Sequence, residues 1–179
     1  MVDVIFINLY GTILPENSEE NRELILRKGF LKFLDRYRSI PVAISTYESK
    51  EVAIPDLIKV GLLGRVGQIY TLEHMNFIRV YNKSRNDLKD GYPQPDIRTW
   101  ARHDFHTRED NTIVISNNHL DMVAADWYNA KAIEVPIFKD GNDNFSFDNV
   151  SVGSWYNDIR YFVHRLREKP MRISLKNKP

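Results

Sequence analysis

The chain has no cysteine, which removes disulfides, thiolate nucleophiles and thiolate metal ligands together. It has no apolar run of the roughly 18 residues that a bilayer-spanning helix needs. Its first residues show no basic region leading into an apolar core and a small-residue cleavage site, so no secretory leader is expected. A dominant sign of charge is missing too: 25 Lys and Arg stand against 24 Asp and Glu, leaving a net charge of +1. No global field then selects nucleic acid or an acidic partner. Internal repeats and low-complexity blocks are also lacking. Together these absences lead to the expectation of a cytoplasmic globular protein with no membrane partner.

What is present fits one domain. The 179 residues are 42% hydrophobic and 27% charged, ordinary values for a globular fold with a real core. Short apolar runs alternate with amphipathic segments. Strands are expected at 2–7, 41–44, 66–70, 112–115 and 132–135. Helices are expected at 19–37, 49–60, 96–105, 120–129 and 155–168, with Ser18 capping the first and Gly61 ending the second. Strands this short, separated by helices, imply parallel pairing through βαβ crossovers. The expected fold is a doubly wound α/β domain with its site at the carboxyl ends of the strands. Residues 1–179 divide into a core of about 2–137, a C-terminal hairpin and helix at 138–169, and a basic tail at 170–179. Two stretches break the rhythm. One is 71–91, a long polar loop holding His74, Arg79, Lys83, Arg85 and Lys89, the only insertion of a size to act as a lid. The other is 139–153, a turn cluster followed by the weak alternation around Phe145 and Phe147.

Four stretches carry chemical information. The first is the apolar run Val4-Ile5-Phe6-Ile7, then Asn8-Leu9-Tyr10-Gly11-Thr12-Ile13-Leu14. The second is Val42-Ala43-Ile44-Ser45-Thr46, an apolar strand ending in hydroxyls. The third is Lys89-Asp90-Gly91-Tyr92-Pro93-Gln94-Pro95-Asp96. The fourth is Ile113-Val114-Ile115-Ser116-Asn117-Asn118-His119-Leu120-Asp121, leading into Met122-Val123-Ala124-Ala125. In this order they resemble the four motifs of the haloacid dehalogenase (HAD) superfamily. The resemblance implies a HAD-like Rossmannoid fold, three-layer α/β/α, with a mostly parallel sheet of about five strands. It implies a capless member, because too few residues separate the first two motifs to build a cap.

The same resemblance marks what is changed. Family members read Asp-x-Asp-Gly-Thr-Leu in the first motif, with the first Asp as nucleophile and the second as general acid and base. Asn8 and Tyr10 stand there. Tyr92 stands at the place of the third-motif Lys, with Lys89 three residues earlier, and Asn117 replaces the first Asp of the fourth motif. Asp121 keeps the second. An asparagine has no ionised oxygen with which to attack phosphorus, and a tyrosine of ordinary pKa is a poor base at neutral pH. Mg²⁺ prefers hard, mostly anionic oxygens. Asp121 with two amides is therefore expected to hold it weakly, and Asp121 is the one metal candidate.

The favoured function is a catalytically degenerate HAD phosphatase homologue, a pseudoenzyme acting as a binding or interaction module. The alternative is a hydrolase of unorthodox mechanism acting on a small phosphorylated or nucleotide substrate. Loss of carboxylates leaves a cradle of Gly11, Thr12, Ser45, Thr46 and Lys89 as anion-binding candidates. The competing reading keeps Gly11 for a tight turn, and Thr12 and Ser45 for local backbone capping. His119, inside the fourth motif, is expected to face the crevice. Partners are an unknown protein or a small anionic ligand. A homodimer through Trp155, Tyr156, Tyr161 and Phe162 is also open, as is nucleic acid on the tail, where six Lys and Arg residues after His164 face only Glu168.

Overall fold

The computed structural model describes residues 2–16, 24–74, 95–141 and 143–153. Five expectations fall outside them: the Ser18 cap, the 75–91 part of the long loop with Lys89, the Tyr92 position, the helix at 155–168 and the basic tail. Five strands form one parallel sheet: β1 (Val4–Asn8), β2 (Val42–Ser45), β3 (Gln68–Tyr70), β4 (Thr112–Ser116) and β5 (Lys131–Glu134). Their order is β3-β2-β1-β4-β5. In register, Asn8 stands beside Ser45, and Ile7 stands between Ile44 and Ile115.

β1 reads Val-Ile-Phe-Ile-Asn and is buried throughout, as a central strand covered on both faces must be. Ile5 and Ile7 point to one layer, Val4 and Phe6 to the other. The first layer holds helices α1 (Phe30–Arg36) and α2 (Lys50–Lys59), through Phe30, Phe33, Ala53 and Leu57. The second holds α3 (Ile97–Asp104) and α4 (His119–Trp127), through Ile97, Trp100, Ala101, Met122, Ala124 and Ala125. The result is the three-layer α/β/α architecture. The helices start where their capping groups are: Asp96 accepts from the Thr99 amide at 3.0 Å, and Asn118 accepts from the Leu120 amide at 2.9 Å. Among the described residues no helix is long and apolar enough to cross a membrane.

Two elements differ from the sequence reading. Within the described part of the helix expected at 19–37, residues 24–27 are not helical and the helix starts at Phe30. Leu24 and Leu26, two apart, both lie against the core, as an extended chain places them. Gly29, at φ 79°, then turns the chain left-handed immediately before α1. The reason for the extended entry is Arg27. Its side chain is buried, and its amide donates to the Ile13 carbonyl at 2.9 Å. The second difference is the hairpin expected after Lys139. Among the described residues that segment carries no strand. It forms a 3₁₀ turn at Phe147–Asn149 instead, started by the Ser146 hydroxyl accepting from the Asp148 amide. Phe147 stacks edge-on against Phe30 and Phe33 and is drawn into the core, which a two-stranded ribbon on the surface would not allow.

Arg27 binds these irregular segments to the sheet. Its Nε donates to Asp143 at 2.6 Å, one Nη to the Thr12 carbonyl at 3.1 Å and the other to the Pro136 carbonyl at 2.8 Å. The guanidinium lies over the rings of Phe145 and Phe138, at 4.3 and 5.2 Å from their centroids. Burial holds its pKa below the ordinary guanidinium value, against the opposing hydrogen bond and charge of Asp143. Removing one partner of such a pair leaves the other charge uncompensated. Arg27→Met is therefore expected to lower the free energy of unfolding by about 3–5 kcal/mol. Arg27→Lys keeps the charge but loses the planar fork, and should fall between. Urea unfolding measures both; a loss under about 1 kcal/mol for Arg27→Met would show that this contact does not hold the fold.

Candidate functional site

The strand order reverses at β1, which has β2 on one side and β4 on the other. The carboxyl ends of β1 and β4 therefore open at a topological switch point, where α/β sheets carry ligand sites. A crevice of about 460 Å³ lies there, lined by Asn8, Tyr10, Glu16, Thr46, Tyr47, Glu48, Asn117, Asn118, His119 and Ile137. That volume is in the range that takes a small molecule or a partner's side chain.

Most of the residues picked from the sequence converge here. Asn8 ends β1, Tyr10 sits in the following turn, and Asn117 follows β4. His119 reaches the same wall. Ser45 ends β2 beside Asn8, but the crevice wall is made by its neighbour Thr46. Asp121 is buried behind the wall and does not line it. The reading of the sequence missed Tyr47, Glu48, Glu16 and Asn118. The first two directly follow the hydroxyl pair that ends β2, and that adjacency was the available signal.

The floor is a closed amide and hydroxyl network. Asn8 Nδ2 donates to the Tyr10 carbonyl at 3.2 Å and to Asn117 Oδ1 at 3.3 Å. Thr12 Oγ1 donates to the same Asn117 oxygen at 2.7 Å, and the Asn117 backbone amide donates back to Thr12 Oγ1 at 3.0 Å. Gly11, at φ 75°, lets this happen: a methyl group there would stand 2.5 Å from Asn117 Nδ2. The Gly11 amide is itself engaged by the Leu14 carbonyl at 2.7 Å, so it does not serve as the anion donor the sequence offered.

The walls are organised by two tyrosine–carboxylate pairs. The Tyr10 hydroxyl donates to Asp56 at 2.7 Å and the Tyr47 hydroxyl to Asp121 at 2.8 Å. Ser116 Oγ donates to the other Asp121 oxygen at 2.6 Å and accepts from the Asn118 amide at 2.9 Å. Burial pushes the Asp121 carboxyl up to about 6, although both hydrogen bonds favour its charged form. Burial, then the neighbouring Asp121 charge, pushes the Tyr47 phenol above its ordinary range.

The haloacid dehalogenase resemblance of the sequence motifs implies Mg²⁺, and the donors among the described residues do not suit it. Mg²⁺ demands an octahedron of hard oxygens. Here Asn117 Oδ1 already accepts two hydrogen bonds, and both Asp121 oxygens are taken by hydroxyls. Among the described residues no three His, Asp or Glu side chains converge to hold a metal ion.

The chain matches no protein-family model and no curated protein. Solved structures do resemble it. A HAD-superfamily hydrolase of subfamily IA from Geobacter sulfurreducens PCA superposes with a TM-score of 0.56 at 11% identity, over 79% of this chain and 95% of that one. A predicted phosphoglycolate phosphatase from Haemophilus somnus 129pt gives 0.58 at 11% identity, over 79% and 88%. A hydrolase from Streptococcus pneumoniae TIGR4 gives 0.54 at 12% identity, over 83% and 95%. Identities this low speak for the architecture, and with the parallel order β3-β2-β1-β4-β5 they assign this chain the haloacid dehalogenase-like fold.

Proposed function

We propose that this protein is a catalytically silent member of the HAD-like fold, whose crevice binds a ligand without turning it over. The network through Asn8, Asn117 and Thr12 carries this reading. At the nucleophile position stands an amide whose nitrogen is held by the Tyr10 carbonyl and Asn117. Its oxygen is uncharged and cannot form an acyl phosphate. At the acid–base position the Tyr10 hydroxyl proton is given to Asp56, so it is not poised to move a proton to a leaving group. Asn8, Thr12 and Asn117 are tied together by hydrogen bonds, which is what a site selected for packing and binding would keep. A cytoplasmic setting suits a chain without cysteine.

The first test is turnover. The purified protein should not release phosphate from an aryl phosphate above the buffer rate in the presence of Mg²⁺. Activity that disappears in Asn8→Ala would overturn the reading. The triple variant Asn8→Asp, Tyr10→Asp, Asn117→Asp should recover little, since residue identity does not restore positioning to within about 0.5 Å.

The second test concerns Asp121 as a buried structural acid. Its folded-state pKa of about 6 lies above the ordinary 3.8, so the native state binds the proton more tightly than the unfolded state. Its charge then costs stability above pH 6, and this cost is relieved as pH falls from 6 toward 4. The expected gain is on the order of 2 kcal/mol across that window for this one group. Asp121→Asn should flatten this part of the pH–stability curve relative to wild type, measured by denaturant unfolding at each pH. Identical curves for the two proteins would show that the carboxyl is not held above its usual range.

A further inference from the structure

Helix α2 is apolar on both sides. Ala53 and Leu57 pack into the core, as the inner side of a surface helix must. The outer side of such a helix is ordinarily polar. Here Val52, Pro55 and Ile58 stand on it, all exposed, Ile58 at 57% and Val52 at 38%. Their spacing of three sets them on one face centred on Pro55. Two more exposed apolar residues stand at the ends of the helix. Leu63 lies just past the carboxyl end, where its amide donates to the Leu57 carbonyl at 3.3 Å. Leu72 lies beside the amino end, where its amide donates to the Glu48 carbonyl at 3.0 Å and the next residue, Glu73, accepts from the Lys50 amide. The face is flanked by two exposed charges, Glu51 in the first turn and Lys59 in the last. Contiguous apolar surface of this kind marks a place where another surface docks.

We propose that the outer face of α2 docks a second copy of this chain, with the two α2 helices antiparallel across a twofold axis level with Pro55. A twofold interface uses the same patch on both copies, so the patch must complement itself. This one does. Val52 and Ile58 lie three residues to either side of Pro55, and Glu51 and Lys59 lie four to either side. Turning one helix over therefore brings Val52 level with the partner's Ile58 and Glu51 level with the partner's Lys59. Leu72 and the partner's Leu63 come to the same end of the seam. Charge decides the direction. A parallel pair would set Glu51 beside Glu51 and Lys59 beside Lys59, whereas the antiparallel pair sets opposite charges together twice and opposes the helix dipoles. Exposed ion pairs add little affinity, but they fix orientation and exclude the wrong one. The face is small beside the roughly 800 Å² per partner of a standard interface, so the association is reversible and depends on concentration. α2 also reaches the crevice, since Asp56, the neighbour of Pro55, accepts from the Tyr10 hydroxyl at 2.7 Å. The docking face goes beyond the silent-site reading, and neither turnover nor its absence bears on it.

The test is sedimentation of the full chain over a series of concentrations. The mass should rise from the 21.1 kDa of one chain toward twice that value. Ile58→Asp places a charge in the apolar seam and should raise the dissociation constant about tenfold or more. Glu51→Lys and Lys59→Glu each set like charges together and should each weaken the dimer severalfold, less so at high salt. Mixing these two variants restores opposite charges at both ends of the seam. The mixture should therefore associate more tightly than either variant does with itself, an outcome that a change in helix stability cannot produce. All three positions face outward, and a far-UV circular dichroism spectrum matching wild type shows that a variant that stays monomeric is folded. A monomeric mass at every concentration overturns the proposal and leaves the face to a partner of another kind. A dimer that Ile58→Asp does not weaken lies elsewhere on the molecule and overturns it too. A mixture no tighter than its separate components overturns the antiparallel pairing.

Discussion

The buried guanidinium of Arg27 is the contact on which the irregular half of this structure depends. It meets three stretches of chain that no strand or helix joins: the turn after β1 through Thr12, the segment after β5 through Pro136, and Asp143 beyond it. A charge taken out of water is costly, and here every direction around it is answered by a carbonyl, a carboxylate or an aromatic face. The arrangement has a consequence at the crevice. The carbonyl of Thr12 is fixed by Arg27, and the hydroxyl of Thr12 seats Asn117. The floor is thus positioned from behind by a residue that does not line the crevice.

Charge explains why the crevice can be built this way. Carboxylates crowded at the end of a buried strand repel one another and call for a cation to hold them together. Amides and hydroxyls carry both donor and acceptor, so they satisfy one another directly. Asn8, Asn117 and Thr12 are linked in this way, and Gly11 supplies the close approach the link needs. The carboxylates that do remain nearby, Asp56 and Asp121, are each held by a tyrosine hydroxyl. Short-range pairing of this kind holds the floor and walls of the crevice in place.

The parallel sheet and most of its helices were legible because their signals are local. β1, β2 and β4 are unbroken apolar runs, α2 ends at Gly61 and α3 begins at Asp96, and each boundary lies within a residue or two of its sequence signal. The convergence of Asn8, Tyr10 and Asn117 was legible from the order of the four motifs. The entry to α1 was not. Leu24 and Leu26 join Phe30 and Phe33 in a pattern that helical periodicity accommodates, and what overrides it is a partner for Arg27 that lies 116 residues away. Phe147 is a similar case, since its alternation with Phe145 suits a ribbon until the rings of Phe30 and Phe33 offer it a core.

By itself the sequence determined the order of strands and helices, the burial of the central strand and the presence of an amide and a phenol, rather than carboxylates, at positions 8 and 10. These follow from residue type and short-range periodicity, which any folded arrangement must respect. Only the tertiary structure decided that Thr46 rather than Ser45 reaches the crevice, that the Gly11 amide is already engaged, and that the Asn8 amide nitrogen turns to the Tyr10 carbonyl and Asn117. Hydrogen bonds are directional and short, so which group donates to which depends on atoms brought together across more than a hundred residues, as Asn8 and Asn117 are.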